Sequence, residues 1–412
     1  MCARAFPSCL STFPLFEHSQ DFSLASVDRG CNSHTKDSAM ARDWEQSKTV
    51  SDGQQVGITN VQAVSSYNLL DGKEPIMLVP GMPGAWNPPK VPVAIPPDTG
   101  LRFIDNNAGR VPGSPMEPLF RAVLHEHPDF DFSDLDIITD RYAISRLMSP
   151  RQACSVAAQV VGDTVIFVRR EPEVQEDLDP NRFWGFRRNF EATYLKHRGD
   201  CDGSRSHHQI ITYRFGQLRI MLRHAATGHF PEETHEVQMS DLTLLDTALP
   251  IRVGSVTIQP AGARLPRSCL FELSTSKVET VEKYMQNEVP EQWIAQTQRF
   301  IRAVPRYRYQ KPVSSMRGRW LKDAMDIRHD AYKDIHEWEK TNQELVGQLH
   351  ECLTDLVCQM RKARGQNGTA YFIFDISPGP EVSVQKVEAT EMAGLPEDLL
   401  QRMQKRTADA GR

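Results

Sequence analysis

Two apolar runs bent around glycine turns constrain this chain most. The stretch SVAAQVVGDTVIFVRREP (155–172) holds two β-like runs on either side of Gly162-Asp163. HHQIITYRFGQLRIMLRHA (207–225) repeats the arrangement around Phe215-Gly216-Gln217. Short runs rich in Val, Ile and aromatics that flank a glycine turn specify antiparallel hairpins, because glycine supplies the positive φ that such turns require. VGSVTIQPAG, SCLFELST and GTAYFIFDIS (368–377) add further strands. Helical spacing appears in EPLFRAVLHEH (117–127), after the hairpins in the stretch around EQWIAQTQRFIRAV, and in one long segment over about 326–363. In that last segment Ile335, Trp338, Leu345, Leu349, Leu353, Val357 and Met360 form a stripe. Strands and helices intermixed in this way predict an α/β class with a mixed sheet flanked by helices and a long C-terminal helix.

The ends of the chain read differently. Residues 1–60, rich in Ser, Asp, Gln and Gly without sustained periodicity, are expected to be disordered. Residues 61–115 carry the proline- and glycine-rich PIMLVPGMPGAWNPPKVPVAIPPDTG, expected as an extended segment, with a docking peptide for a proline-reading module as the alternative. A folded domain is placed at 116–400 and a tail at 401–412.

Composition narrows the function classes. Of the 412 residues, 40% are hydrophobic and 25% charged, which fits a globular protein. A net charge of −5 gives no global field drawing the chain to polyanions, so any such site must be local. No run approaches the roughly 20 apolar residues of a membrane span, and MCARAFPSCLSTFPLF lacks the plan of a signal peptide. The eight cysteines form no Cys-x-x-Cys pair, which argues against a zinc site or disulfide scaffold and for a reducing compartment, cytoplasm or nucleus.

Candidate chemistry lies in three places. Glu191, in FWGFRRNFEATY, and Glu272, in LFELS, are carboxylates among apolar residues. Two such groups from neighbouring elements suit Mg2+ or Mn2+, which take oxygen ligands, while either one alone fits a salt bridge equally well. His207, His208, His224, His229 and His235 cluster in sequence without the spacing of a zinc motif. The span from Arg299 to Lys322 carries Arg299, Arg302, Arg306, Arg308, Lys311, Arg317, Arg319 and Lys322, no acid, and interleaved Phe300, Tyr307, Tyr309 and Trp320. Cations for phosphates and flat rings for bases make it a candidate single-stranded RNA surface; a solvated basic face is the alternative. No glycine-rich phosphate loop, Gly-x-Ser-x-Gly or His-Glu-x-x-His is present.

In order, ITDRYAISRLMSPR, VVGDTVIFVRRE, FWGFRRNFE, HHQIITYRFGQLRIMLRHAATG, LFELSTS and EQWIAQTQRFIRAVPRYRY resemble the decapping exoribonuclease (DXO-like) family over about residues 95–400, with the likeness strongest to a fungal branch of it. The resemblance implies a PD-(D/E)XK nuclease-like core and removal of incomplete caps from RNA 5′ ends. It implies a phosphate-facing arginine at Arg141, metal carboxylates at Glu191 and Glu272, and a substrate-channel helix with Trp293 and Gln296. The match at Glu191 carries two extra residues between the glycine and the acid. Ala225 and Thr227 stand where the resemblance expects two further acids, and Ser274 where it expects the lysine that orients water. Fewer anionic oxygens hold Mg2+ weakly, since that ion dehydrates reluctantly. Loss of one electrostatic group at a reacting centre commonly costs about 10²–10³ in rate.

The expected function is therefore a degenerate, catalytically impaired relative, a pseudoenzyme, that still binds single-stranded RNA 5′ ends and needs no cofactor. One alternative is an active nuclease using Mg2+ or Mn2+ with His224 as a substitute ligand. The other is a non-enzymatic protein that offers its 326–363 helix to a protein partner. No membrane role is expected.

Overall fold

The computed structural model describes residues 3–5, 55–72, 74–91, 93–149, 153–233, 249–275, 286–303, 305–307, 321–324, 332–364, 368–377 and 381–410. Its centre is a mixed sheet of twelve strands. From one edge the order is Ala3–Ala5, Glu381–Val387, Thr369–Ile376, Cys154–Val161, Thr164–Arg170, Ile137–Asp140, Leu218–Ala225, Ser204–Phe215, Ile58–Leu70, Ile76–Gly81, Val256–Gly262 and Ile251–Val253. Both expected hairpins form, closing at the pairs Val161–Thr164 and Phe215–Leu218. The turn glycines Gly162 and Gly216 take φ of 60° and 56°, where a side chain is strained. Ile137–Asp140 runs parallel to both of its neighbours, Thr164–Arg170 and Leu218–Ala225.

Helices cover both faces. On one, Arg141–Met148, Val289–Ala295, Tyr332–Thr341 and Gln343–Ala363 pack Ile144, Trp293, Trp338 and Leu353 onto Val165, Phe167, Ile220 and Phe374. On the other, Glu117–Glu126 and Glu397–Ala410 pack Leu119, Phe120, Leu399 and Met403 against Ile138, Ile166, Ile210 and Met221. Strand side chains alternate between faces, so each central strand feeds both cores. A smaller five-stranded sheet, ordered Leu195–Lys196, Gly84–Trp86, Gly228–His229, Leu270–Ser274 and Arg299–Arg302, encloses a third core of Phe186, Phe190, Phe230, Phe271 and Ile301. The α/β class with a mixed sheet between helices is thus the observed architecture.

Several boundaries differ from expectation. Ile58–Leu70 and Ile76–Gly81 belong to the central sheet, so the 61–115 segment is part of the domain rather than a wrap around it. The tail carries the helix Glu397–Ala410, with Met403 buried. The long C-terminal helix is two helices that meet at Asn342, whose side-chain amide donates to the Trp338 carbonyl at 2.8 Å. Residues 326–331 of that segment lie outside the described residues, as does most of the 1–60 region and the 234–248 stretch with His235. Phe300 and Ile301 sit on a strand, because it pairs parallel with Leu270–Ser274 and an apolar run this short fits either period. Among the described residues no helix is long and apolar enough to cross a membrane.

Candidate functional site

The two parallel strands Ile137–Asp140 and Leu218–Ala225 end side by side, with Asp140 opposite Arg223. Crevices outside the carboxyl ends of parallel strands are the usual ligand sites of α/β sheets. Here that crevice is a cleft of about 360 Å³, walled by Ile104–Asn107, the helix that starts at Arg141, and His208, His224 and Ala225. Asp105 shapes one wall by capping the short helix Asn106–Arg110, its carboxylate accepting the Asn107 and Ala108 N–H groups at 2.8 and 3.0 Å.

A buried charged network lies beneath the floor. Arg223 donates to Asp140 at 3.1 Å, to the Pro115 carbonyl at 2.8 Å and to the Tyr67 hydroxyl at 3.3 Å. Tyr67 in turn donates to Asn107 at 2.6 Å and stacks on His208. Burial raises the Asp140 carboxyl above its usual range, with Arg223 pulling the other way, and burial pushes the Tyr67 hydroxyl up to about 12. An arginine inside the apolar IMLRHA strand was the sequence signal for this network, since a buried guanidinium requires partners.

Glu272 and Arg141 meet between the cleft, which Arg141 lines, and a smaller cavity lined by Glu272. Arg141 Nη1 donates to both Glu272 oxygens, at 2.7 and 2.6 Å, and its Nε lies 3.1 Å from Glu291. The Thr297 hydroxyl donates to Glu272 at 2.7 Å, and His224 Nδ1 lies 3.6 Å away. Burial opposes the charge on Glu272, but the Arg141 guanidinium, helped by His224, outweighs it and holds the carboxyl well below its usual range. Burial likewise lowers His224, which Glu272 offsets only in part.

The remaining expected residues spread out. Glu191 lies on the helix Arg187–Tyr194 and pairs with Arg187 at 2.8 Å, one turn away. Thr227 accepts the Leu273 N–H at 3.2 Å, and Arg187 reaches its hydroxyl at 3.5 Å. Ala225 lines the cleft, while Ser274 turns its hydroxyl to Glu288 at 3.0 Å. Trp293 is 1% exposed and its indole donates to Glu339 at 2.6 Å, so it packs the core instead of facing a channel. Gln296, in the left-handed conformation that ends its helix, lines a small cavity beside Glu272. Arg299 donates to the Ser268 carbonyl at 3.2 Å, and Arg302 is buried. Arg306 lies on the strand Pro305–Tyr307, while Arg308 and residues 309–320 fall outside the described residues.

These donors do not fit a resident divalent cation. Glu272 is already paired with Arg141 and Glu191 with Arg187, and Ala225 brings no side-chain oxygen. Among the described residues no three His, Cys, Asp or Glu side chains gather as a metal group would require. The cleft lining holds Arg141, Arg146, Arg169 and Arg223 together with Asp105, Asp140 and Glu291, so its cations outnumber its acids by one.

No curated protein matches the sequence. Among solved structures the chain is similar to S. pombe Rai1, at 13% identity and a TM-score of 0.52, over 82% of this chain and 97% of that one. S. pombe Rai1 in complex with 3′-FADP aligns at 14% identity and a TM-score of 0.52, over 82% and 97%. Candida albicans Rai1 in complex with pU5-Mn2+ aligns at 9% identity and a TM-score of 0.51, over 86% and 97%. The fold is therefore that of the Rai1 structures, the mixed α/β architecture that the sequence resemblance implied. In sequence, residues 42–403 match the model of a family described as a domain of unknown function, DUF8563, and the chain belongs to that family.

Proposed function

We propose that this protein binds the phosphorylated 5′ end of single-stranded RNA in the cleft and has lost the metal-dependent cleavage associated with its fold. The observation that carries the reading is the Glu272 carboxylate. Its charge is met by Arg141, Thr297 and His224, the work a cation would otherwise do. With Ala225 and Thr227 beside it, a phosphodiester would meet no set of anionic oxygens able to fix a cation and activate water. The cleft keeps Arg141, Arg146 and Arg169 along its wall, and a phosphate competing for Arg141 would find guanidinium donors already oriented. Structures of Rai1 with 3′-FADP and with pU5-Mn2+ favour a nucleotide-like ligand for this fold. Cytoplasm or nucleus is the compartment consistent with the cysteines Cys154, Cys201, Cys352 and Cys358, which form no disulfide among the described residues.

The test follows binding and cleavage together, using 5′-monophosphorylated and capped RNA with Mn2+, Mg2+ or EDTA at two salt concentrations. Salt-sensitive binding without cleavage is expected. Metal-dependent cleavage that Glu272→Ala abolishes would sink the reading and leave an active nuclease with an atypical ligand set.

A further inference from the structure

We infer that an arginine surface beside the cleft, built from Arg102, Arg182, Arg188 and Arg205, carries the phosphates of the RNA that follows the bound 5′ end. The inference rests on the RNA reading of the cleft and adds a second, separate contact to it.

The surface is assembled from three distant segments. The strand Gly100–Phe103 pairs with Gln175–Leu178 as a two-stranded ribbon, and the next residues, Ile104–Asn107, are the cleft wall. Arg102 is two residues from that wall, which is about 7 Å along an extended chain. Arg188 donates to the Thr99 carbonyl at 3.3 Å and Arg205 to the Leu101 carbonyl at 3.1 Å. Those carbonyls flank Gly100, whose φ is 76°, so both guanidinium groups are held on the same short turn of backbone. Burial lowers Arg188, and repulsion from Arg205 and, more weakly, Arg102 lowers it further, while Asp98 and Asp71 pull the other way without reversing the shift.

Nearby acids have other engagements. Asp98, 5% exposed, accepts the Arg188 and Asn189 backbone N–H groups at 3.1 and 3.0 Å. Asp71 pairs with Arg110 at 2.6 Å. Glu176 pairs with Arg102, and Asp98 and Asp71 offset part of the charge on Arg188. Asp177 lies opposite Leu101 in the ribbon, so alternation points it away from the face of Arg102 and Glu176. Trp184 fixes two of the cations: Arg182 lies 4.4 Å and Arg102 5.9 Å from its ring centroid, and its indole N–H is anchored on the Asp179 carbonyl at 3.1 Å. Four arginines held by backbone carbonyls and an indole form a preorganised surface for successive phosphates. A single small anion would leave most of them unused, so the geometry favours a chain of phosphates over a lone one.

The experiment measures affinity of the full chain for 5′-monophosphorylated RNA of two and of twelve nucleotides, with the wild type and with Arg188→Ala/Arg205→Ala. The expected result is that the double variant loses about tenfold in affinity for the long RNA and has a shallower salt dependence by about 1.4. Its affinity for the dinucleotide should stay at the wild-type value. Circular dichroism and the urea midpoint verify that the variant is folded, and Arg188→Lys/Arg205→Lys should restore most of the long-RNA affinity. Equal loss for both lengths, or no loss for either, overturns the surface while leaving the cleft reading intact. Absence of any RNA binding by the wild type overturns both. Tighter binding of an anionic vesicle than of the long RNA would reassign the surface to a membrane and overturn the inference as well.

Discussion

Glu272 and Arg141 stand 131 residues apart in sequence, and each makes sense only through the other. Their side chains are 13% and 23% exposed, so each charge is largely withdrawn from water and depends on its partner. Glu272→Ala should leave Arg141 with Glu291 alone and cost about 2–4 kcal/mol, read from the urea midpoint. An unchanged midpoint would show that the pair contributes nothing. Because the folded carboxyl lies below its unfolded range, its stabilisation is present above about pH 4.3 and disappears as pH falls toward the folded value. The histidines give a second pH effect, which begins at higher pH than that of the carboxylate. Burial, with repulsion from His224, His229 and His197, lowers His207 to about 3. The unfolded state therefore takes up this proton first, and stability drops as pH falls from about 6.5. His207→Gln should make that fall in stability shallower from about pH 6.5 down toward 3, leaving the share of the other histidines that burial lowers, His208, His224 and His229 among them, as denaturant titrations at fixed pH would reveal. His207 could be picked out in the sequence, and Gln209, 2.6 Å away, follows it on the same strand, but Asn68, at 2.5 Å, comes from the neighbouring strand, whose register the sequence does not state.

The helices Tyr332–Thr341 and Gln343–Ala363 decide between the scaffold and partner readings of the C-terminal half. Ile335, Trp338, Leu349, Leu353, Val357 and Met360 are all under 5% exposed and pack on the central sheet, so the stripe is occupied within the chain. Leu353→Ala should therefore cost about 2–5 kcal/mol in unfolding free energy, as deletion of a core side chain does. A loss of under 0.5 kcal/mol would mean that the stripe is not core and would reopen it to a partner. The stripe was legible because the 3.6-residue period continues through both helices. The break was not: Asn342 is an ordinary polar residue in sequence, and its side-chain bond to Trp338 exists only once the chain turns there. The hairpins were legible for the opposite reason, since glycine at a two-residue turn fixes the local register without help from afar. Phe300 and Ile301 misled because four residues fit a helix and a strand equally well, and only pairing with Leu270–Ser274 settles which.

Across the whole molecule, charge sets the terms on which RNA can bind. With a net charge of −5 the protein as a whole repels a polyanion, and any attraction comes from arginines gathered locally. That total was plain in the sequence, whereas the gathering was not. Arg102, Arg188 and Arg205 belong to segments separated by up to about a quarter of the chain and share one surface through carbonyls of residues 99 and 101. The basic-aromatic span at 299–322 looked stronger in sequence; of its cations Arg302 is buried and Arg299 bonds the Ser268 carbonyl, while Arg308, Lys311, Arg317 and Arg319 lie outside the described residues. If the cleft and the arginine surface act together, about three to five phosphates are neutralised, and the logarithm of affinity should fall against the logarithm of salt with a slope of about −2 to −3.5. Titrations of the twelve-nucleotide RNA between 50 and 200 mM salt, taken as roughly the informative range, measure it directly. A slope near zero would mean that binding, where present, is not carried by phosphates, and a slope much steeper than −4 would require cations beyond the two surfaces. The dinucleotide, confined to the cleft, should show about half the slope of the longer RNA, which separates the two contributions without any mutation.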